Sequence, residues 1–124
     1  MKSLLVVDDE PVVRTLVARL ARTAGYTVTE AGCAGEALDQ MAACPSALVL
    51  CDVSMPDRNG PWLATQLRRQ FPDTALVMMT GHGQGELEAG PESAIPALSK
   101  PFNREQLIAA LERARDCSAA KTKS

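Results

Sequence analysis

Five side chains that could take part in chemistry follow short apolar runs in this sequence. Asp8 and Asp9 directly follow the run 4–7, and Asp52 follows the run 47–51. Thr80 and Lys100 follow two further runs. Three carboxylates in one place repel each other unless a cation lies between them, and an all-oxygen site suits Mg²⁺, or Mn²⁺ in its place. Such a site can stabilise the transfer of a phosphoryl group to a carboxylate nucleophile, which yields an acyl phosphate.

The elements that must position these side chains are short strands alternating with helices. Val13, Leu16, Val17 and Leu20 recur at the spacing of an amphipathic helix. The run 47–51 is the most apolar in the chain, as in a central parallel strand that is buried on both faces. The alternation predicts one α/β domain, with helices on both faces of a parallel sheet. The predicted strands are 4–7, 26–31, 47–51, 75–79 and 95–99.

This architecture brings the five side chains to one edge of the sheet. In open α/β sheets, ligands bind outside the carboxyl ends of the strands, near the point where strand order reverses. If strands one, three, four and five are the inner ones, all five residues meet in one crevice. Asp8 and Asp9 alone could simply favour the dipole of a helix N-terminus, and Lys100 alone could be a solvated loop residue. Their combination with Asp52 favours a shared site.

Residue types at the helix ends support these boundaries. Pro11 suits the first turn of a helix, and Gly25 suits its C-terminal cap. Asn103 and Gln106 have the spacing of a capping box at the start of the last helix.

Two segments give weaker helical signals. Glycines and a proline interrupt residues 84–93, so we expect the fourth of five helices to be short or distorted. Residues 118–124 are polar, and we expect a flexible C-terminal tail after a domain that spans residues 1–117.

Composition excludes several classes of function. The net charge is −2 and aromatic residues make up 3% of the chain, which argues against binding of nucleic acid or membranes. No apolar run approaches the ~18 residues of a membrane span, and the run 4–7 is too short for a signal peptide. The four cysteines form no CxxC pair. A reduced, cytoplasmic protein is therefore expected.

Four short motifs resemble those of the response-regulator receiver domains of bacterial two-component systems, including the chemotaxis receivers. The resemblance spans roughly residues 3 to 117, and the motifs occur in the order of that family. It implies a flavodoxin-like three-layer fold with five parallel strands in the order 2-1-3-4-5 and five helices. The matching stretches are Leu5-Val6-Val7-Asp8-Asp9-Glu10, Asp52-Val53-Ser54-Met55-Pro56-Asp57 with Gly60, Thr80-Gly81-His82-Gly83, and Lys100-Pro101-Phe102.

The resemblance implies a role for each site residue. Asp52 is the expected phosphoacceptor, and Asp8 and Asp9 are expected to hold Mg²⁺ with it. The backbone carbonyl of Ser54 would be a further metal ligand. Thr80 would be the switch hydroxyl. Lys100 would bind the phosphoryl group, with a cis bond to Pro101.

Positions around the site are expected to modulate its behaviour. By resemblance, Ser54 and His82 tune dephosphorylation, although His82 by itself is typical of a solvated loop residue. Ala97 stands where the family usually places a Tyr or Phe that turns inward on phosphorylation. The stretch from Thr80 to Lys100 is also about two residues shorter than is typical. The phosphate chemistry is therefore expected to be intact and the coupling to output altered.

The resemblance implies a phosphoacceptor signalling domain and not an enzyme, apart from self-catalysed phosphotransfer and slow autodephosphorylation. Its expected partners are a sensor histidine kinase or phosphotransfer protein and an unidentified downstream protein, and a dimer that forms on phosphorylation is compatible with it. The chain could act alone or be a receiver excised from a hybrid kinase or longer regulator within a phosphorelay.

Two other functional classes are disfavoured. A phosphatase of the haloacid-dehalogenase type would place a second Asp two residues after the nucleophile, where this chain has Ser54. A flavin- or nucleotide-binding module would need a Gly-rich or Ser/Thr-rich phosphate loop after the first strand. Here that loop is Asp-Asp-Glu-Pro, which repels phosphate unless a metal is bound.

Overall fold

A computed structural model describes residues 3–52, 60–80, 97–99 and 102–123. Its strands form one parallel sheet in the order β2-β1-β3-β4-β5. The strands are β1 (Ser3–Val7), β2 (Thr27–Ala31), β3 (Leu48–Asp52), β4 (Ala75–Thr80) and β5 (Ala97–Ser99). The helices are α1 (Pro11–Thr23), α2 (Ala34–Ala43), α3 (Gly60–Gln70) and α4 (Arg104–Lys123).

Alternate residues of the strands enter two separate hydrophobic cores, one on each face of the sheet. Leu4 and Leu50 face a core that also contains residues of α1 and α4. Leu5 and Val49 face a second core, which contains residues of α2 and α3. The inner strands are apolar at nearly every position because both of their faces are covered. The three-layer, flavodoxin-like α/β architecture is therefore confirmed.

The predicted helix boundaries are confirmed at α1 and at the start of α4. Pro11 is the first residue of α1, and Gly25 follows its end with φ of 96°, a left-handed conformation that glycine adopts without steric cost. At α4, Asn103 Oδ1 accepts from the backbone N–H of Gln106 at 2.8 Å. Gln106 Oε1 accepts in return from the backbone N–H of Asn103 at 2.9 Å. This is the reciprocal capping box that the spacing predicts.

The last helix extends beyond its predicted end. We expected a tail from residue 118, whereas α4 continues to Lys123. The reason is local, since 104–123 contains no glycine or proline and includes good helix formers such as Ala119 and Ala120. The flexibility of residues 118–124 stays a prediction.

The short or distorted helix expected within 84–93 lies outside the described residues. The part of the chain that the structure describes contains four helices, so the total of five also stays a prediction. None of the described helices combines the length and apolar character needed to cross a membrane.

Candidate metal centre

The sheet register brings the first and third strand ends together. β1 and β3 are parallel neighbours, and Val7 pairs with Cys51. Asp8 comes directly after Val7, and Asp52 directly after Cys51. The two carboxylates therefore start from adjacent positions at the same edge of the sheet, as the strand-end argument predicted.

The structure joins Asp8, Asp9 and Asp52 in one acidic cluster. One carboxylate oxygen from each residue lies within 4.8 Å of the others. Asp8 is fully buried and Asp52 is 7% exposed, whereas Asp9 is exposed. A cation that binds oxygen at about 2.1 Å separates opposing ligands by about 4.2 Å. Small side-chain adjustments would thus let all three carboxylates contact one metal ion.

Asp8 is held by its backbone as well as its side chain. Its N–H donates to the carbonyl of Ala31 at 3.1 Å. Its Oδ1 accepts from the backbone N–H of Glu10 at 2.9 Å. The same local turn starts α1 one residue later, so the acidic loop and the helix are positioned together.

Cys51 is a buried core residue that directly precedes Asp52, and its thiol is not ionised. Burial raises the pKa of its thiol, and the neighbouring charges of Asp52 and Asp8 raise it further. The Sγ–H also donates to the carbonyl of Asp52 at 3.4 Å. At neutral pH the thiol stays protonated, so the candidate ligand set consists of oxygen atoms, as hard divalent cations prefer.

The remaining predicted site residues are described only in part. Thr80 ends β4, one position beyond the partner of Asp52, since Asp52 pairs with Met79. Its backbone is thus placed beside the cluster. Ala97 begins β5 and pairs with Met78. Lys100, Ser54 and His82 lie outside the described residues, and the roles assigned to all five residues stay predictions.

Sequence reasoning missed the side chain that contacts the backbone of the acidic loop. Arg14 Nη1 donates to the carbonyl oxygen of Asp8 at 2.9 Å, and its Nε donates to Glu30 Oε1 at 3.3 Å. Arg14 lies in α1 and its partner Glu30 lies in β2, the strand that α1 contacts. The contact of Arg14 with the acidic loop could be recognised only once the packing of α1 against β2 was known.

The family and its known members agree with this geometry. The family model described as the response regulator receiver domain matches residues 4–112. The chain is 36% identical over 115 residues to the positive alginate biosynthesis regulatory protein of Pseudomonas aeruginosa. The aligned residues make up 90% of this chain and 46% of that protein. The chain spans 24% to 46% of the length of the curated regulators that it matches.

Solved structures show the same fold over nearly the whole chain. NtrX from Brucella abortus in complex with ADP superposes with a TM-score of 0.90 at 32% identity, over 99% of this chain and 29% of that one. The chemotaxis protein CheY4 of Vibrio cholerae gives a TM-score of 0.84 at 30% identity, over 92% of this chain and 98% of that one. The acidic cluster at the strand ends and these matches place the chain in the response regulator receiver domain family of two-component systems.

Proposed function

We propose that Asp52 accepts a phosphoryl group from the phosphohistidine of a histidine kinase or phosphotransfer protein, in a reaction that depends on Mg²⁺. One observation carries the proposal: a nearly buried carboxylate lies within 4.8 Å of two others at the carboxyl edge of a parallel sheet. Repulsion between three clustered carboxylates is unfavourable unless a cation is bound between them. Membership of a signalling family supports the same reaction.

The chemistry requires an in-line attack by one Asp52 oxygen on phosphorus. The P–N bond of phosphohistidine breaks, its electron pair returns to the imidazole nitrogen, and that nitrogen takes up a proton. Asp52 is left as an acyl phosphate. Catalysis of such a transfer is mainly positioning and charge stabilisation.

The other predicted residues would compensate the charge of the incoming group. Asp8 and Asp9 would hold Mg²⁺ together with Asp52 and the backbone carbonyl of Ser54. The bound ion supplies positive charge to the phosphoryl oxygens.

Two further groups would contact the phosphoryl oxygens. Thr80 would donate a hydrogen bond to one of them, and Lys100 would supply a fixed positive charge.

The proposed output is contact with other proteins. Receiver domains are signalling domains, and we infer slow autodephosphorylation at Asp52 with no other enzymatic activity. Ser54 and His82 would set its rate. With Ala97 in place of an aromatic residue, the response of the output surface would differ from the usual one. We further propose that the protein is cytoplasmic and that it can form a dimer when phosphorylated.

A second candidate is a receiver within a longer protein of a phosphorelay. It is favoured by the length of the curated regulators, of which this chain spans less than half. The match to CheY4 over 98% of that chain favours action as a single domain. Both candidates use the same reaction at Asp52.

Intact-mass measurement tests the phosphoacceptor. Incubation with acetyl phosphate and Mg²⁺ should add one phosphoryl group, and Asp52→Asn should abolish the adduct. Asp39→Asn is the matched control, because Asp39 is exposed on α2 and away from the cluster. An equal adduct in Asp52→Asn, or none in the wild-type protein, would contradict the proposal.

A further inference from the structure

Arg14 connects the acidic loop to the neighbouring strand β2. Its guanidinium donates to the carbonyl of Asp8 through Nη1 (2.9 Å) and to Glu30 Oε1 through Nε (3.3 Å). Both side chains are only partly exposed, at 22% for Arg14 and 29% for Glu30. A guanidinium is planar, so bonds from two of its nitrogens to two different acceptors fix the orientation of the guanidinium between them.

The carbonyl that Arg14 contacts belongs to the peptide joining Asp8 to Asp9. Asp8 is already held at its N–H by Ala31 and at its side chain by the N–H of Glu10. Asp9 is exposed, so little packing around its side chain fixes the direction of its carboxylate. The plane of the Asp8–Asp9 peptide therefore helps to set that direction. Arg14 is therefore placed to orient the Asp9 carboxylate toward the other two.

The surroundings of Arg14 keep its guanidinium in place. The backbone carbonyl of Glu30 accepts from Gln40 Nε2 at 2.7 Å, which ties β2 to α2 next to the contact. Gly32 lies so close that a Cβ there would stand 3.2 Å from Arg14 Nη1. The lack of a side chain at Gly32 thus leaves room for the guanidinium.

We propose that Arg14 is a positioning residue for the metal centre, which sets the affinity for Mg²⁺ by fixing the Asp8–Asp9 peptide, with Glu30 as its anchor. The inference rests on the proposed function, because it takes Mg²⁺ as the ion of the acidic cluster. Groups that orient metal ligands without touching the metal typically change metal affinity by about 10-fold to 100-fold when they are removed.

An electrostatic role and a positioning role of Arg14 predict opposite effects of its removal on cation affinity. If Arg14 acted only as a nearby positive charge, its removal would strengthen the binding of a cation to three carboxylates. If it orients the peptide, its removal weakens binding. The direction of the change in Kd therefore separates the two effects.

The test is titration of the full chain with MgCl₂, followed by NMR at the backbone amide of Glu10, which donates to the Asp8 carboxylate. We expect Arg14→Gln to raise the Kd for Mg²⁺ about 10-fold. Arg14→Lys keeps the charge but cannot make the two-point contact, so its Kd should also rise, by at least about 3-fold and by less than in Arg14→Gln. The rate of phosphorylation by acetyl phosphate should approach that of the wild type once Mg²⁺ is saturating.

Arg22→Gln is the matched control. Arg22 contacts the same carboxylate, with Nη2 3.6 Å from Glu30 Oε2, and donates to the carbonyl of Val28 at 3.2 Å. No contact joins it to Asp8 among the described residues. Its Kd for Mg²⁺ should stay within about 2-fold of the wild-type value, as expected for a surface ion pair.

An unchanged or lower Kd in Arg14→Gln would overturn the inference, as would an equal rise in Arg22→Gln. Circular dichroism in EDTA checks the fold, and if Arg14→Gln does not fold, an unchanged Kd in Arg14→Lys overturns the inference. Wild-type protein that binds no Mg²⁺ would overturn the proposed metal dependence and this inference together. Binding by the wild type with no effect of either Arg14 variant would overturn the inference alone.

Discussion

Asp8 and Asp52 stand side by side at the carboxyl ends of two adjacent parallel strands, and both are almost completely buried. Burial strengthens the interaction between charges, because little water lies between them to screen it. Their proximity is therefore destabilising for the metal-free protein and favourable for binding a cation.

Asp8→Asn should stabilise the metal-free protein and remove its response to Mg²⁺. The amide oxygen can still accept from the N–H of Glu10, while one negative charge is lost. In EDTA we expect the free energy of unfolding to rise by at least about 1 kcal/mol, because that is the repulsion of two charges about 4 Å apart in bulk water and burial strengthens it. Urea denaturation with EDTA and with Mg²⁺ measures both effects. Asp39→Asn is the control, and lower stability of Asp8→Asn in EDTA would contradict the prediction.

The cysteines should differ strongly in reactivity. Burial and the charges of Asp52 and Asp8 raise the pKa of Cys51, so less of it is thiolate at any pH between about 7 and 9 than for an ordinary thiol. Cys44 is exposed. Brief treatment of the native protein with iodoacetamide should modify Cys44 and leave Cys51 intact, as peptide mass spectrometry would show. Labelling of Cys51 at the rate of Cys44 would contradict the burial of β3.

The central strand should be sensitive to loss of volume. Leu50 is fully buried in β3, within the core shared with α1 and α4. Leu50→Ala should lower the free energy of unfolding by about 3 kcal/mol, since it removes apolar contacts and leaves a cavity. Leu16→Ala makes the same change at a residue that is 54% exposed. That control should cost less than about 1 kcal/mol, and equal losses at the two sites would argue against the core described above.

The capping box of α4 should contribute measurably to stability. Asn103→Ala removes the acceptor of the Gln106 N–H and should lower the free energy of unfolding by about 1 kcal/mol. Arg113→Ala changes an exposed residue in the interior of the same helix and should stay within about 0.5 kcal/mol of the wild type. Thermal and urea denaturation would measure both variants. No difference between them would show that the cap contributes nothing in solution.

Much of the fold could be predicted because the signals are local. Apolar runs, a proline at the start of α1 and a glycine after its end report preferences of neighbouring residues. The capping box of α4 was predictable for the same reason. Helix α4 continues to Lys123, past the start of the expected tail at residue 118, because Ala119 and Ala120 favour continuation of the helix although the segment is polar.

The structural role of Cys33, in contrast, could not be predicted from local residue preferences. Its Sγ accepts from the N–H of Glu36 at 3.5 Å at the start of α2. The Glu36 side chain in turn accepts from the N–H of Gly32 at 2.7 Å. A sulfur atom in the capping position is not a pattern that residue preferences predict, since serine, threonine, aspartate and asparagine are the usual caps.

The sequence by itself determined which residue types stand at the strand ends, and hence the candidate roles of Asp8, Asp9 and Asp52. Only the tertiary structure decided that their carboxylate oxygens lie within 4.8 Å of one another, and that Arg14 holds the Asp8 carbonyl while Glu30, 16 positions away along the chain, holds Arg14. Strand ends follow from local periodicity. Distances between side chains depend on strand register and on how a helix packs against its neighbouring strand, and these are set by contacts between segments that are far apart in sequence.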